Sequence, residues 1–454
     1  MAVCEYVPYD KSLNYINLYL MFDIYYLSGE NLMNLNFYKK KNSSKDCRFD
    51  KLKAAYDRLI GDKKMENIVK GKSLPINIRI KEFMDNRSFV IDEKQVSGNI
   101  YSQCQQLLEK INNNYYVYEV DGIIFTPIDK NVVSGTWNHS FKWKPERHNT
   151  IDFLISTMKD KDEKEDLIHN KFIEGTNATS SNELQQYKQV ILRVGFSQRN
   201  HGFLNPIQTM ITGELPKQNY NYKNYYPVPF YPYNNNDSKT SEWHIANIPL
   251  KKVGSKLLMI AGDGDIFEDE TIVEFKYDKE LDKPSSWKWT AIKVRHDKTF
   301  AYRKGDPNFG NDYKTANSVW KSIHNPVTEE MLSGKVEIPH NIEEADVYYS
   351  KHNSITRTLS FRNFHNRYVK HNLIKRVSNS GDTLIDLAVG KAGDLPKWID
   401  SRLSAVIGID YSRDNIENHL DGAASRYLQE KMQKEIQVKI LNQAKHFQMR
   451  KIKQ

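Results

Sequence analysis

Thr383-Leu384-Ile385-Asp386-Leu387-Ala388-Val389-Gly390-Lys391-Ala392-Gly393 is the stretch on which the fold turns. An apolar run that stops at a glycine reads as a buried strand, and a second run, Ala405-Val406-Ile407-Gly408-Ile409, ends at Asp410. The residues between them suffice for one crossover helix, so the pair reads as a βαβ unit. Asp410 lies 20 positions beyond Gly390, at the tip of the second strand. This is nucleotide-site geometry: the glycines let the backbone approach a ligand closely, and the later acid accepts ribose hydroxyls. The glycine spacing is not GxGxxG, which argues against a dinucleotide. Two parallel strands do not make a stable doubly wound sheet alone, so the region reads as the opening of a larger α/β domain.

Working outward, the α/β pattern begins at about Glu337, and the tail from about Gln429 is rich in Lys and Gln. Ahead of it, Tyr187 to about Asn325 reads as strands: Gln189-Val190-Ile191-Leu192-Arg193-Val194 alternates, as does Glu270-Thr271-Ile272-Val273-Glu274-Phe275. A small β-barrel is expected there. Its insertion Asn219-Tyr220-Asn221-Tyr222-Lys223-Asn224-Tyr225-Tyr226, followed by Pro227, Pro229 and Pro232, reads as a long solvated loop, with stacking on nucleic acid as the alternative. Thr157 to about Gln186 contains the charge run Lys159-Asp160-Lys161-Asp162-Glu163-Lys164-Glu165-Asp166 and reads as a linker or surface helix. Before it, Tyr115-Tyr116-Val117-Tyr118-Glu119-Val120 and Ile123-Ile124-Phe125 suggest a mixed antiparallel domain. The fold class is therefore multi-domain, α+β followed by α/β, as 454 residues allow.

Composition narrows the partners. Lys and Arg outnumber Asp and Glu by 66 to 57, and 12% of residues are aromatic, which together favour a polyanionic partner. A mild basic excess on an ordinary protein is the plain alternative. Three cysteines, Cys4, Cys47 and Cys104, lack CxxC spacing, so neither a disulfide framework nor a Cys-based zinc site is expected, and a reducing compartment fits. Leu18-Tyr19-Leu20-Met21-Phe22 runs straight into Asp23, and the first residues lack a secretory pattern. An intracellular protein with no membrane span is expected.

Further chemistry lies in the β-rich regions. Asp121-Gly122-Ile123-Ile124-Phe125-Thr126-Pro127 precedes Phe141-Lys142-Trp143-Lys144-Pro145. Asp121 at a strand end can hold a metal ion, while Lys142 and Lys144, two apart on one strand face, can both meet a triphosphate; a turn acid with a solvated lysine pair is the bland account. Trp287-Lys288-Trp289-Thr290-Ala291-Ile292-Lys293-Val294-Arg295-His296-Asp297-Lys298 is a basic strand whose Arg295 and Lys298 suit orientation of a pyrophosphate leaving group.

These segments resemble known families. Asp386 to Trp398 is similar to motif I of the messenger-RNA cap (guanine-N7) methyltransferases, and Arg362-Asn363-Phe364-His365-Asn366-Arg367-Tyr368-Val369-Lys370 to the segment that precedes their first strand. That resemblance implies a Rossmann-like class I methyltransferase domain in which Lys370, Gly390 and Asp410 touch S-adenosylmethionine and Asn366 lies toward the cap. The Asp121 and Lys142–Lys144 segments resemble motifs IV and V of capping guanylyltransferases; Phe22-Asp23-Ile24-Tyr25-Tyr26-Leu27-Ser28-Gly29 resembles their motif IIIa. Cys4-Glu5-Tyr6-Val7 is similar to motif III, with Cys4 replacing the usual glycine and Glu5 near the guanosine ribose. The Arg295-His296-Asp297-Lys298 ending resembles motif VI, carried on a mobile OB-fold lid that Asp297 would position.

The order of motifs is that of the large capping enzymes of nucleocytoplasmic DNA viruses. The resemblance implies GTP, S-adenosylmethionine, Mg²⁺ or Mn²⁺, and an RNA 5′ end as ligands. It also implies a cytoplasmic viral factory or virion as the location, and a second methyltransferase subunit or further parts of the same polypeptide as partners. It divides the chain into a guanylyltransferase part (1–156), a linker (157–186), an OB-fold (187–330) and the start of a methyltransferase (331–454). The family's KxDG nucleophile is not present: the residues two before Asp121, Asp263 and Asp421 are Glu119, Ala261 and His419. The expectation is a fragment that lacks this lysine and the later methyltransferase strands; a noncatalytic RNA-end-binding or partner-binding subunit, or a methyltransferase piece completed by another chain, is the alternative.

Overall fold

The computed structural model describes residues 1–39, 46–61, 76–84, 89–91, 94–96, 99–133, 137, 139–160, 162, 165–172, 184–215, 225–232, 243–306, 310–337 and 358–433. The chain divides into two compact units, Met1–Asn149 with Lys321–Ile338, and Thr150–Trp320 with Pro339–Gln454.

In the first unit, β1 (Ala2–Tyr9) and β2 (Tyr15–Ile24) form an antiparallel hairpin, and a third strand, β3 (Asn77–Ile80), runs parallel to β2. Leu18, Leu20, Met21 and Ile24 of β2 are buried. Helix α1 (Arg48–Tyr56) adds Phe49 and Leu52 to the cluster that holds Met21 and Ile24. Arg48 on the same helix is fully buried and forks onto Asp23, with Nε to Oδ1 at 2.8 Å and Nη2 to Oδ2 at 3.1 Å. Helix α2 (Ile100–Asn112) starts at a reciprocal cap: Asn99 Oδ1 accepts the Ser102 amide at 2.9 Å, and the Ser102 hydroxyl accepts the Asn99 amide at 3.1 Å. Cys104 and Leu108, one turn apart, form its buried face.

Strands β4 (Ile123–Phe125) and β5 (Phe141–Trp143) pair antiparallel. Tyr115–Val120, expected as a strand, has no ladder partner and runs as turns. Its groups are satisfied otherwise: the Val117 carbonyl accepts the Lys11 amide at 2.9 Å, and the Tyr116 hydroxyl donates to Glu82 at 2.6 Å.

The second unit is built on a nine-stranded, barrel-like sheet. Its strands are β6 (Thr150–Thr157), β7 (Ile168–Phe172), β8 (Leu184–Phe196), β9 (Tyr226–Pro229), β10 (Ile245–Val253), β11 (Lys256–Ile260), β12 (Ile266–Phe267), β13 (Ile272–Tyr277) and β14 (Trp289–Val294). The order is β12–β11–β10–β8–β6–β13–β14, and the long β8 also pairs with β7 and β9. Phe153, Phe230, Phe275 and Trp289 fill the interior, with Phe153 edge-on to Trp289 at 5.2 Å. In the stretch 157–186, expected as a linker or surface helix, the described residues form the end of β6, β7 and the start of β8, while 161, 163–164 and 173–183 lie outside the described residues. Its charges pair across a hairpin: Lys159 bridges Asp166 at 2.5 Å and Asp269 at 3.0 Å, and Lys188 reaches Asp166 at 2.8 Å. Lys159 and Asp166, the two ends of the charge run, therefore pair across strands and not at helical i,i+4 spacing. The two compact units divide at 149/150, ahead of β6. Of the Asn- and Tyr-rich insertion, 219–224 lies outside the described residues, while Pro227 and Pro229 sit in β9.

After β14 come α3 (His296–Arg303) and α4 (Tyr313–His324). Helix α5 (Leu359–Phe364) continues through a wider turn at His365–Val369 into α6 (Lys370–Val377). Then β15 (Thr383–Asp386), α7 (Leu395–Asp400) and β16 (Ala405–Gly408) form the expected parallel βαβ unit, with Thr383 opposite Ala405 and Asp386 opposite Gly408. The strands are shorter than the apolar runs. The expected burial is one-sided: Leu384 and Val406 pack on Val389 and Trp398, whereas Ile385 and Leu387 are 62% and 76% exposed. A short helix, α8 (Arg413–Glu417), and a helical segment at 423–433 close the described chain. No helix among the described residues is long and apolar enough to cross a membrane.

Candidate functional site

The structure brings together Asp121 with Lys142 and Lys144, Arg295 with Lys298, and Gly390 with Asp410. In the first unit, Gly122 lies so close to β5 that a Cβ there would sit 1.9 Å from the Trp143 carbonyl oxygen. Only glycine permits this approach, and it sets Asp121 beside the lysines of the neighbouring strand. Asp121 Oδ2 accepts from Lys142 Nζ at 2.9 Å and is 3.0 Å from Lys144 Nζ, so the two lysines share a face as their spacing requires. Burial raises the Asp121 pKa, yet these two lysines outweigh it and hold the carboxyl below the usual carboxylate range. Glu5 on β1 pairs with Lys81 and stays half exposed. Asp23, in the segment similar to motif IIIa, is buried and bound to Arg48.

The second cluster lies at the junction of β14 and α3. Arg295 caps α3, and Asp297 and Lys298 occupy its first turn, so these residues are not on the strand that the sequence suggests. The turn exists because Thr299 ties it back: its hydroxyl donates to the Arg295 carbonyl at 2.8 Å and accepts the Ile272 amide at 3.0 Å. Arg295 Nη1 donates to Asp152 Oδ2 at 2.7 Å, and Lys298 Nζ donates to the same oxygen. Asp297, expected to position the lid, is exposed, with its Oδ1 3.6 Å from Arg295 Nε. Asp152 is the residue that sequence reasoning missed; its signal is a lone acid inside the apolar run Thr150-Ile151-Asp152-Phe153-Leu154-Ile155.

The third cluster is the mouth of the βαβ unit. Gly390 adopts a φ of 55°, a left-handed turn that glycine favours, and its amide donates to Asp410 Oδ2 at 2.7 Å. Asp410 Oδ1 accepts from the Ser412 amide and from Asn415 Nδ2, both at 2.9 Å. Burial raises the Asp410 pKa, but the hydrogen bonds from Asn415, Ser412 and Gly390 lower it further. Lys370 reaches Asp394 at 3.0 Å, and Lys397 holds the other Asp394 oxygen at 2.6 Å. Lys391 is pinned between Asp414 at 3.0 Å and Asp421 at 2.8 Å. Asn366 sits in the wide helical turn, exposed to solvent.

Comparison with known proteins gives three successive matches. Residues 9–146 match the mRNA capping enzyme catalytic domain, 148–333 the mRNA capping enzyme C-terminal domain, and 329–450 the mRNA (guanine-N(7))-methyltransferase domain. A probable mRNA-capping enzyme of Acanthamoeba polyphaga mimivirus is 26% identical over 422 residues, covering 87% of this chain and 32% of that protein. An mRNA-capping enzyme of African swine fever virus is 26% identical over 298 residues, or 64% of this chain and 28% of that protein. The mRNA cap guanine-N(7) methyltransferase 1 of Arabidopsis thaliana is 40% identical over 53 residues, 12% of this chain and 14% of its own length. The chain thus spans about a third of the viral relatives that it matches.

No neighbouring heavy atom lies within 4 Å of where a Gly393 Cβ would be, so the Gly390–Gly393 loop offers an open cradle, and Asp410 stands beside it. That fits an adenosine-bearing methyl donor. The carboxylate named for a divalent ion, Asp121, is paired with Lys142 and Lys144, and among the described residues no group of three His, Cys, Asp or Glu is placed to hold a metal.

Proposed function

Taking its kinship with the viral mRNA-capping enzymes as premise, we propose that this chain forms part of an enzyme that caps mRNA 5′ ends. The reaction transfers GMP from GTP to a diphosphate RNA end and then methylates guanine N7 from S-adenosylmethionine. The observation that carries the reading is the seat formed by Arg295 and Lys298, two partly exposed cations gathered on one carboxylate within the segment matched to the capping-enzyme C-terminal domain.

Each cluster has a separate task. Lys142 and Lys144 present two ammonium groups to the phosphates, and Glu5 accepts from the guanosine ribose. Arg295 and Lys298, on an OB-fold lid, orient the pyrophosphate in line and neutralise its developing charge. In the methyltransferase part, Gly390 clears space for the methyl donor, Asp410 accepts from its ribose, Lys370 stands at its edge and Asn366 lies toward the cap. S-Adenosylmethionine supplies the methyl group when bound. No step is assigned to a metal held by this chain.

A full-length relative rebuilt around this chain tests the reading. Lys298→Ala should abolish guanylylation while sparing methylation of preformed caps; guanylylation that persists in the variant refutes the role of the seat. A second reading, a noncatalytic RNA-end-binding subunit, draws on the excess of 66 Lys and Arg over 57 Asp and Glu. Saturable binding of triphosphate RNA that survives physiological salt supports it, and purely salt-sensitive binding counts against it.

A further inference from the structure

We propose that Asp152 is the resident counter-anion of the Arg295–Lys298 seat and sets how tightly, and how selectively, that seat holds a polyphosphate. The inference rests on the reading of Arg295 and Lys298 as phosphate-binding residues and assigns a role to an acid that lies outside the segment similar to motif VI.

The geometry is specific. One oxygen, Asp152 Oδ2, accepts from both cations. The Asp152 side chain is 8% exposed while Arg295 and Lys298 are each 27% exposed, so the carboxylate lies beneath and the cations open to solvent. The backbone of Asp152 is held on both sides: its amide donates to Asn311 Oδ1 at 2.7 Å, and its carbonyl accepts the Asn311 amide at 3.1 Å. Gly310 packs against the same carbonyl, where a Cβ would stand 3.2 Å away. The acid is therefore fixed in place, and only its side chain can give way.

Charge decides the consequence. Asp152 and Asp297 together balance Arg295 and Lys298, so the seat by itself is neutral and attracts a single phosphate weakly. A polyphosphate offers separate anionic oxygens to each cation and can outcompete the carboxylate. When pyrophosphate leaves, Asp152 recaptures both cations, so release does not strand two like charges side by side. The acid thus favours polyphosphate over monophosphate and keeps product affinity low.

Calorimetric titration of the full chain with inorganic tripolyphosphate, at fixed salt, tests this. Asp152→Asn should bind about tenfold tighter than the unsubstituted chain, and Arg295→Ala and Lys298→Ala about tenfold weaker. If the alanine variants lose affinity but Asp152→Asn binds equally or more weakly, the counter-anion role is overturned and the phosphate seat stands. If the alanine variants bind like the unsubstituted chain, the seat itself is refuted. Should Asp152→Asn not fold, the unsubstituted chain decides: tripolyphosphate should bind at least about tenfold tighter than orthophosphate, and equal affinities overturn the inference.

Discussion

Arg48 lies wholly out of solvent and places its guanidinium across both oxygens of Asp23. The pair fastens α1 to β2, and so holds together the sheet whose first strand carries Glu5. Arg48→Met leaves a buried carboxylate without its partner, and a loss of roughly 3–5 kcal/mol is expected. Urea unfolding of the full chain, followed through the first unit, reads it. Arg48→Met with Asp23→Leu should recover part of the loss; a single variant as stable as the parent contradicts the structural role.

Lys391 clamps the Gly390–Gly393 loop between Asp414 and Asp421. Its side chain is largely buried; burial lowers its pKa, yet Asp421 and Asp414 outweigh this and raise it above the usual lysine value. Lys391→Met should cost roughly 1–3 kcal/mol, because two carboxylates then repel across the loop. Differential scanning calorimetry at two salt concentrations should show the deficit shrinking at high salt. A salt-independent deficit would point to lost packing instead.

His419 supplies a pH dependence. Burial drives its pKa down to about 4, while its Nδ1 bonds the Phe203 carbonyl and the Phe203 amide donates to the His419 carbonyl at 3.0 Å. The folded state therefore prefers neutral imidazole, and the unfolded chain binds the proton first. Stability from this group is complete above about pH 6.5 and declines as pH falls toward 4, by up to about 1.4 kcal/mol per unit. His419→Asn, which keeps a donor near the Nδ1 position, should flatten thermal unfolding between those pH values. An unchanged slope would assign it to other groups.

Asp410 closes the βαβ mouth through Gly390. Asp410→Ala removes the acceptor for the Gly390 and Ser412 amides and for any ribose hydroxyl. Calorimetric binding of S-adenosylmethionine by the full chain should weaken at least about tenfold. Asp382→Ala, at the far end of the first strand, should bind as the parent does; equal loss in both variants would mean that unfolding, and not the site, is being measured.

The chain should form no stable covalent adduct with labelled GTP and Mg²⁺, since none of its Asp-Gly pairs follows a lysine at the required spacing. A protein-bound guanylate band on a denaturing gel would identify another nucleophile.

Reading from sequence succeeded where chemistry is local. Lys142 and Lys144 share a face because strand side chains alternate, and the βαβ unit follows from two apolar runs with a glycine between them. It failed at Lys159 and Asp166, whose charges meet each other and Lys188 across strands and not along a helix. It failed again at Tyr115–Val120, whose strand-like alternation is met by Glu82 and a neighbouring turn.

The residues of the candidate clusters were thus set by sequence alone: Asp121 with its two lysines, the Arg295–Lys298 ending, and Gly390 with Asp410. Their spacing along the chain is the spacing that the backbone geometry of strand and turn requires. Only the tertiary structure decided which acid answers which cation. Asp152 and Lys298 are far apart in the chain, and an ion pair at that separation leaves no periodic trace in sequence; it exists because β6 is drawn beside β13, which leads through β14 to α3.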